Sequence, residues 1–202
     1  MAKDKLKNQD LILTIERSNF MSKEIDWENN RFEVSGGPRR FKITPKQHGA
    51  VIIPKMQTKF FLEKIKRQDG ELHLEFPRGF QDEPDLKDTA KRELFEETNL
   101  KAEKFSYLGT VMQDSGLING DTAVYLAEIN DLNQTIILQK SEKIVDYKIV
   151  NLVQLLDLVK KNKIVDGYTL SAILKYIAHY GENVTSKLSD NVFSIDNLAD
   201  LM

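Results

Sequence analysis

Residues 79–100 read Gly-Phe-Gln-Asp-Glu-Pro-Asp-Leu-Lys-Asp-Thr-Ala-Lys-Arg-Glu-Leu-Phe-Glu-Glu-Thr-Asn-Leu, and the second half of this stretch predicts a helix. Asp85 is suited to cap its start, and Asp88 follows three residues later, as in a capping box. Every fourth residue contributes to a buried stripe, which consists of Leu86, Ala90, Leu94 and Thr98. Asn99 ends the helix, because Asn tolerates the left-handed conformation of a C-terminal cap.

Three glutamates of this helix point to one region, because Glu93, Glu96 and Glu97 are separated by helical spacings of three and four residues. On a helical wheel, Glu93 and Glu97 fall within roughly 20° of Leu86 and Ala90, at the edge of the buried stripe. Like charges at this spacing cost roughly 0.2–0.5 kcal/mol on a wet surface, and more when they are half-buried. A compensating cation is therefore expected, and three carboxylates on a rigid helix suit a hard divalent ion such as Mg²⁺.

Arg92 stands four residues before Glu96 and can hold a carboxylate by two parallel hydrogen bonds. The alternative interpretation is a solvated acidic helix face with one Arg–Glu pair, which is the common case for helices rich in glutamate. The residues that surround this helix favour the metal-binding interpretation.

The sequence Arg-Glu-Leu-Phe-Glu-Glu-Thr-Asn-Leu at 92–100 resembles the end of the Nudix box, the motif of the Nudix hydrolases. That motif reads Gly, five residues, Glu, seven residues, and then Arg-Glu-apolar-x-Glu-Glu-x-Gly-apolar. The chain departs from it at two places. Arg92 is one residue too close to Gly79, so that the isolated Glu before the helix is missing or is replaced by Asp85. Asn99 stands in place of the final Gly.

Residues outside the box extend the resemblance to the ADP-ribose pyrophosphatase branch of the family, over residues 48–178. A Gly-Ala-Val strand, a second strand ending in Arg67, and Leu-Glu-Phe-Pro-Arg-Gly-Phe at 74–80 lead into the box as in that branch. The sequence Lys-Ile-Val-Asp-Gly-Tyr-Thr-Leu at 163–170 is similar as well. A Pro that the branch often carries beyond the box is absent, since Ser-Gly at 115–116 occupies that neighbourhood.

The resemblance implies Mg²⁺-dependent hydrolysis of the diphosphate bond of a nucleoside diphosphate linked to a second group. ADP-ribose, cleaved to AMP and ribose 5-phosphate, is the first candidate substrate, and Mn²⁺ is an alternative metal. The implied metal ligands are Glu93, Glu96, Glu97 and the backbone carbonyl of Arg78, while Arg92 orients a ligating carboxylate. Other nucleoside diphosphate sugars, dinucleotides, and a nucleotide sensor without turnover stay open as alternatives.

The general base is open between two loop acids. Glu142 lies before a predicted strand, in a region from which the family often supplies a glutamate, and Asp121 is its rival. Arg67, Arg78 and Gly79 are the candidate substrate-binding residues, because a guanidinium matches the geometry of a phosphate. For Arg67 the alternative is a solvated arginine at the end of a strand.

The order of predicted elements resembles that of the family, and the resemblance implies an α+β protein with the α/β/α sandwich and mixed sheet of the Nudix fold. The short strands of the opening third add an N-terminal antiparallel β segment. Residues 1–45 form that segment, which in this branch packs against a second subunit, so that a homodimer is expected. Residues 46–180 form the Nudix domain. Residues 181–202 form a polar C-terminal tail, with a short helix near 195–201.

Hydrophobic patterning places strands on either side of the metal-binding helix and further helices near the C-terminus. The predicted strands cover 11–17, 25–27, 31–34, 39–43, 48–54, 59–67, 72–77, 105–113, 122–129, 135–139 and 148–150. The C-terminal helices cover 153–161 and 169–180, where apolar residues recur at helical spacing.

The composition limits the classes of partner and the cellular location. The 202 residues are enough for one domain with an appendage, and 41% hydrophobic with 30% charged residues is typical of a globular protein. A net charge of −2 provides no electrostatic footprint for nucleic acid or an anionic membrane. The absence of Cys excludes thiolate chemistry. No signal-peptide core or membrane-spanning run is found, so a cytoplasmic protein is expected. The family resemblance implies a small-molecule nucleotide as its partner.

Overall fold

The computed structural model describes residues 27–36 and 41–189, with side chains described as far as Gly181. The chain divides into two compact units, which consist of residues 1–47 with 114–120 and of residues 48–113 with 121–202. Each unit has its own β-sheet. The second unit contains the whole of the predicted metal-binding helix and its neighbours.

The first unit carries a three-stranded antiparallel sheet in the order β1-β2-β3. These strands are β1 (Trp27–Glu28), β2 (Phe32–Ser35) and β3 (Lys42–Pro45). Asn29 forms the first turn, because its side-chain oxygen accepts hydrogen bonds from the backbone N–H groups of Arg31 and Phe32. The predicted N-terminal antiparallel segment is confirmed over these strands, while residues 1–26 and 37–40 lie outside the described part of the chain.

The second unit is built on a mixed sheet, seven-stranded within the described residues. Its strands are β4 (Gly49–Met56), β5 (Lys59–Lys66), β6 (Leu72–Glu75), β7 (Arg78–Phe80), β8 (Lys104–Val111), β9 (Thr122–Ile129) and β10 (Ile144–Asn151). The order is β10-β5-β4-β9-β8, with β6 paired to β5 and β7 paired to β4. Strands β4 and β9 are parallel, whereas the other pairs are antiparallel.

Helices cover both faces of this sheet: α1 (Leu86–Thr98), α2 (Leu152–Lys160) and α3 (Gly167–Ser189). Helix α1 packs through Leu94 against Ala50 and Ile52 of β4. The alternate side chains Val51 and Ile53 point to the opposite face and join the core formed with α2 and α3. The predicted α/β/α sandwich of an α+β protein is therefore confirmed.

Residues 135–139 do not form the strand that the sequence predicted. Ile137 donates its backbone N–H to the carbonyl of Thr98 at 3.0 Å, and Gln139 donates to the carbonyl of Glu97 at 3.1 Å. These carbonyls belong to the last turn of α1, where the helix itself supplies no donor. The extended segment therefore completes the end of α1 instead of widening the sheet.

Helix α3 is longer than predicted, since it runs from Gly167 to Ser189 and not from 169 to 180. The polar tail that was expected from residue 181 is therefore wrong for residues 181–189. The apolar stripe ends near Ile177, but extending an existing helix adds one hydrogen bond for each residue ordered. The short helix expected near 195–201 lies outside the described residues. Among the described helices, none is long and apolar enough to cross a membrane.

Candidate active site

Helix α1 begins and ends where the sequence places its caps. The Asp85 side chain accepts a hydrogen bond from the backbone N–H of Lys87 at 2.9 Å, and Asn99 has the left-handed φ of 62°. The prediction of a capping box is wrong, however, because the Asp88 side chain forms an ion pair with Lys91 at 2.6 Å. A capping box needs the longer reach of Glu or Gln at this position. The helix is nevertheless fixed at both ends, which sets the positions of its glutamates.

Glu93 lies directly over Gly79 of β7. A Cβ atom added to Gly79 would stand 1.9 Å from both Cδ and Oε1 of Glu93, so only glycine leaves room for this carboxylate. The pairing of β7 with β4 puts Gly79 opposite Ala50, on the side of the sheet that carries α1. The sheet and the helix therefore hold Glu93 between them.

Arg92 connects the helix to the loop that precedes it. Its Nη1 donates to Glu96 at 2.9 Å, its Nη2 lies 2.8 Å from Glu93, and its Nε donates to Glu83 at 2.6 Å. Nη2 also donates to the backbone carbonyl of Phe80 at 3.0 Å. One guanidinium thus sets the orientation of carboxylates on both the helix and the loop.

Glu97 is buried, with 6% of its surface exposed, as its place at the edge of the apolar stripe predicts. Burial raises its pKa well above the ordinary value, and the charges of Glu63, Glu93 and Glu142 raise it further. The pKa of Glu93 is also raised, mainly by burial, despite the adjacent Arg92. Carboxylate oxygens gathered where burial disfavours their charge fit a hard divalent cation.

The three predicted helix ligands do not share one position. Among the described residues, no three Asp, Glu, His or Cys side chains converge on a common point. The Glu96 side chain is 44% exposed and forms an ion pair with Arg92 at 2.9 Å. Glu97 is thus buried and Glu93 is half-buried, while Glu96 lies at the exposed edge of the cluster. Their role as metal ligands stays a prediction.

A second group of charges lies beside the helix, and the sequence analysis did not predict it. Glu75 is 3% exposed and accepts two hydrogen bonds from Arg67, at 2.9 and 2.5 Å, and one from Arg78 at 3.1 Å. Arg78 also lies 3.5 Å from Asp166 and 4.8 Å from the centre of the Tyr168 ring. The alternative interpretation of Arg67 as a solvated arginine at a strand end does not hold, because two of its nitrogen atoms donate hydrogen bonds to Glu75.

Comparison with known protein families decides which fold family this site belongs to. The family model of the NUDIX domain matches residues 46–171, which is 126 of the 202 residues. This chain belongs to the Nudix family. The resemblance of residues 92–100 to the Nudix box is thereby confirmed, and α1 is the helix of that box.

A solved structure supports the fold assignment. The crystal structure of an ADP compounds hydrolase superposes with a TM-score of 0.63 at 14% identity, over 80% of this chain and 92% of that chain. At this identity the likeness shows the Nudix fold. A comparison with curated proteins found no match.

The shortened loop of this Nudix box still provides a glutamate for Arg92. Glu83 accepts from Arg92 Nε and also from the Thr89 hydroxyl at 3.1 Å, whereas Asp85 is used as the helix cap. The expectation that the isolated Glu is missing or replaced by Asp85 is therefore wrong. Strict counting of the box spacing missed Glu83, and the signal that could have found it is a glutamate two residues before the cap.

The two candidate bases of the Nudix site have different surroundings. Asp121 lies 2.8 Å from His48 Nδ1, in an exposed pair at the start of β4 and β9. Glu142 is exposed, and its charge raises the pKa values of both Glu93 and Glu97. It follows the segment bonded to the end of α1. Of the two acids, Glu142 is therefore the one whose charge acts on the acidic cluster.

Proposed function

We propose that this protein is a Nudix hydrolase that uses a divalent cation to cleave the diphosphate bond of a nucleoside diphosphate linked to a second group. The observation that carries the proposal is a pair of carboxylates on α1. Glu93 is packed over Gly79 and paired with Arg92, and Glu97 is buried with one oxygen that has no hydrogen-bond partner among the described residues. ADP-ribose is the first candidate substrate. The sequence resemblance and the ADP compounds hydrolase of the same fold both support an ADP-containing substrate.

Glu93 and Glu97 are proposed to hold Mg²⁺ or Mn²⁺, with Glu96 and the backbone carbonyl of Arg78 completing the ligand set. When bound, such a cation neutralises the diphosphate and lowers the pKa of a water molecule. Arg92 keeps Glu93 and Glu96 in place through its hydrogen bonds. Arg67 remains partly exposed beyond its bonds to Glu75 and is proposed to contact a substrate phosphate.

Glu142 is proposed to accept the proton of the attacking water. The water oxygen forms a new bond to one phosphorus, and the bond from that phosphorus to the bridging oxygen breaks. The bridging oxygen leaves with the electron pair on the second phosphate. With ADP-ribose, the products are AMP and ribose 5-phosphate. Glu142 lies between β9 and β10, directly after the segment that is hydrogen-bonded to the end of α1 through Gln139.

The test is hydrolysis of a substrate panel with Mg²⁺, read as inorganic phosphate after addition of a phosphatase. The panel contains ADP-ribose, ADP-glucose, NADH, GDP-mannose and dGTP, and the variant is Glu97→Gln. Glu71→Gln is the matched control, because Glu71 is an exposed residue in the turn before β6. Turnover of ADP-ribose that is lost in Glu97→Gln but kept in Glu71→Gln is the expected result.

Other outcomes separate the alternatives. Turnover of a different panel member would support the proposed mechanism with that compound as the substrate in place of ADP-ribose. No turnover of any member, together with thermal stabilisation by a nucleotide, would instead identify a sensor that binds without hydrolysis.

The expected homodimer and the cytoplasmic location remain predictions. Much of the segment proposed as the dimerisation arm, at residues 1–26 and 37–40, lies outside the described residues. Light scattering of the purified chain at several concentrations, with and without residues 1–26, tests whether that segment joins two copies.

A further inference from the structure

Asp166 stands immediately before α3 and uses one carboxylate oxygen to begin that helix. Its Oδ2 accepts hydrogen bonds from the backbone N–H and from the hydroxyl of Thr169, both at 2.8 Å. The Thr169 hydroxyl in turn accepts the backbone N–H of Phe76 at 3.0 Å. Because Phe76 lies between β6 and β7, the first turn of α3 is tied to the connection that leads to Arg78 and Gly79.

The second oxygen of Asp166 is not needed to begin the helix. Oδ1 lies 3.5 Å from Nη2 of Arg78, and only 8% of the Asp166 side chain is exposed. Serine and asparagine cap helices as well as aspartate does, so capping alone does not require a charge here. Taking a carboxylate out of water is costly unless a cation lies beside it. The charge of Asp166 is therefore explained by its pairing with Arg78.

Arg78 belongs to a row of alternating charges, which consists of Arg67, Glu75, Arg78 and Asp166. Nη2 of Arg78 donates to Oε2 of Glu75 at 3.1 Å, and Nη2 of Arg67 donates to the same oxygen at 2.5 Å. The two acids are 3% and 8% exposed, whereas the side chains of Arg67 and Arg78 are 37% and 29% exposed. The buried acids thus hold two guanidinium groups next to each other at the surface.

The charge row leads to the side of the sheet on which α1 lies. Glu75 stands opposite Glu63 in the pairing of β6 with β5, and Glu63 is two residues from Phe61, which packs in the core beneath α1. Since Arg67 and Arg78 meet at Glu75, both guanidinium groups reach the face of the sheet that α1 covers.

Both guanidinium groups have a donor left for a ligand. The row uses Nε and Nη2 of Arg67 and Nη2 of Arg78, while Nη1 of each arginine forms no hydrogen bond within the described part of the chain. Arg78 also lies 4.8 Å from the centre of the Tyr168 ring. Asp166 and Tyr168 therefore restrict a long side chain that has many rotamers when it is free.

We propose that Asp166 is a positioning residue that orients the guanidinium of Arg78, beside Arg67, to bind a phosphate of the substrate. A guanidinium recognises phosphate oxygens through a planar fork of N–H groups, so its orientation determines how well it binds. Arg78 directly precedes Gly79, over which the Glu93 carboxylate lies. This inference rests on the proposed function, in which the substrate carries a diphosphate.

The experiment compares Asp166→Asn, Arg78→Met and the double variant. Asp166→Asn keeps a side chain that caps α3 but removes the charge that pairs with Arg78. Arg78→Met removes the guanidinium and keeps an unbranched side chain. Asp157→Asn is the matched control, because Asp157 forms an ion pair with Lys161 at 2.8 Å in which both side chains are exposed to solvent.

Two quantities are measured for each full-length variant. KM and kcat are determined with Mg²⁺ and the panel member that the wild type hydrolyses best, beginning with ADP-ribose. The dissociation constant of the same compound is determined by calorimetry with a chelator in place of the metal, so that binding is read without turnover.

Asp166→Asn is expected to raise KM about tenfold, the lower end of what a hydrogen bond to a charged group contributes. The dissociation constant should rise by a similar factor, while kcat stays within about threefold of the wild type, because a contact made equally before and in the transition state changes KM alone. Arg78→Met should raise KM at least as much. In the Arg78→Met background, Asp166→Asn should raise KM no further, since Asp166 acts through Arg78. Asp157→Asn should match the wild type.

An unchanged KM in Asp166→Asn would overturn the positioning role. Additive increases in KM for Asp166→Asn and Arg78→Met would also overturn it, because Asp166 would then act through α3 and not through Arg78. If Asp166→Asn does not fold, Asp166→Ser makes the same comparison with another capping side chain. A wild-type protein that neither hydrolyses nor binds any panel member would overturn the proposed function itself.

Discussion

The carboxylate of Glu93 occupies the space in which a side chain of residue 79 would stand. A Cβ atom on Gly79 would lie 1.9 Å from Oε1 of Glu93, far inside van der Waals contact. The glycine is therefore required by the position of the carboxylate above it. The φ angle of Gly79 is not positive, so its backbone conformation does not exclude other residues. A substitution at Gly79 therefore tests the steric effect on Glu93 without adding backbone strain.

Gly79→Ala is expected to push Glu93 out of its position and to lower kcat/KM by at least about 100-fold, since misplacement of a reacting group by 1 Å can cost that much. The fold should remain, because the neighbouring strands tolerate alanine in an extended backbone. Hydrolysis rates and far-ultraviolet circular dichroism check both expectations.

Gly181→Ala is the matched control for that substitution. A Cβ on Gly181 would lie 3.6 Å from Ile177, which is ordinary contact, and alanine favours the helix in which this residue lies. Activity should therefore be unchanged. Near-normal activity of Gly79→Ala would show that the position of Glu93 does not matter for the reaction.

The pairing of Arg92 with Glu83 predicts a clear difference between two neighbouring acids. Glu83→Gln removes the charge that Arg92 Nε contacts at 2.6 Å, and we expect kcat/KM to fall about tenfold through the displaced guanidinium. Asp85→Asn keeps a side chain that caps helices as well as Asp does, so its activity and melting temperature should stay close to the wild type. A larger fall in kcat/KM for Asp85→Asn than for Glu83→Gln would contradict the assignment of Glu83 as the functional partner of Arg92.

Local sequence patterns predicted α1 and its caps because both depend on residues close together in the chain. The four-residue repeat placed Ala90, Leu94 and Thr98 in the core, and all three are buried. The same repeat placed Glu97 at the edge of the core, where it is found. The fold class followed from the resemblance to the Nudix family, and β4 was predicted from its continuous apolar run, whose side chains contribute to the cores on both faces of the sheet.

Contacts between distant segments could not be predicted from those patterns. Glu63 and Glu75 lie opposite each other only because β5 and β6 pair in one register, and a sequence does not state the register. Residues 135–139 have the composition of a strand but bond to the end of α1. Glu83 was missed because the loop is one residue shorter than the motif, and only the folded loop shows which acid reaches Arg92.

The choice of general base is tested by two substitutions of the same kind. Glu142→Gln should lower kcat by at least about 100-fold, within the range contributed by general acid–base catalysis. Asp121→Asn should keep kcat within about threefold, because this residue forms an exposed pair with His48. Metal binding should be nearly unchanged in both variants, which Mn²⁺ titration checks. A larger fall in kcat for Asp121→Asn than for Glu142→Gln would instead identify Asp121 as the general base.

The buried Glu75 predicts how stability changes in acid. Burial opposes its ionisation, but the hydrogen bonds and charges of Arg67 and Arg78 prevail and lower its pKa below the ordinary value. A carboxyl group with a lowered folded-state pKa stabilises the protein above its unfolded-state pKa, and this contribution is lost as the pH falls through the folded-state value. The window of loss therefore begins near 4.5, the ordinary pKa of a glutamate side chain, and extends downward.

Glu75→Gln should reduce the free energy of unfolding at pH 6.5 by about 3 kcal/mol, the lower end of the range for breaking a buried ion pair, since both arginines remain partly exposed. The difference from the wild type should shrink as the pH falls below 4.5, because the wild-type carboxylate also becomes neutral. Urea denaturation between pH 3 and pH 6.5, with a chelator present, measures this difference. Glu71→Gln, in an exposed turn, should show no such change with pH. The opposite result is a free energy of unfolding of Glu75→Gln that differs from that of the wild type by a constant amount down to pH 3. That result would show that the charge of Glu75 does not stabilise the protein through its pairing with Arg67 and Arg78.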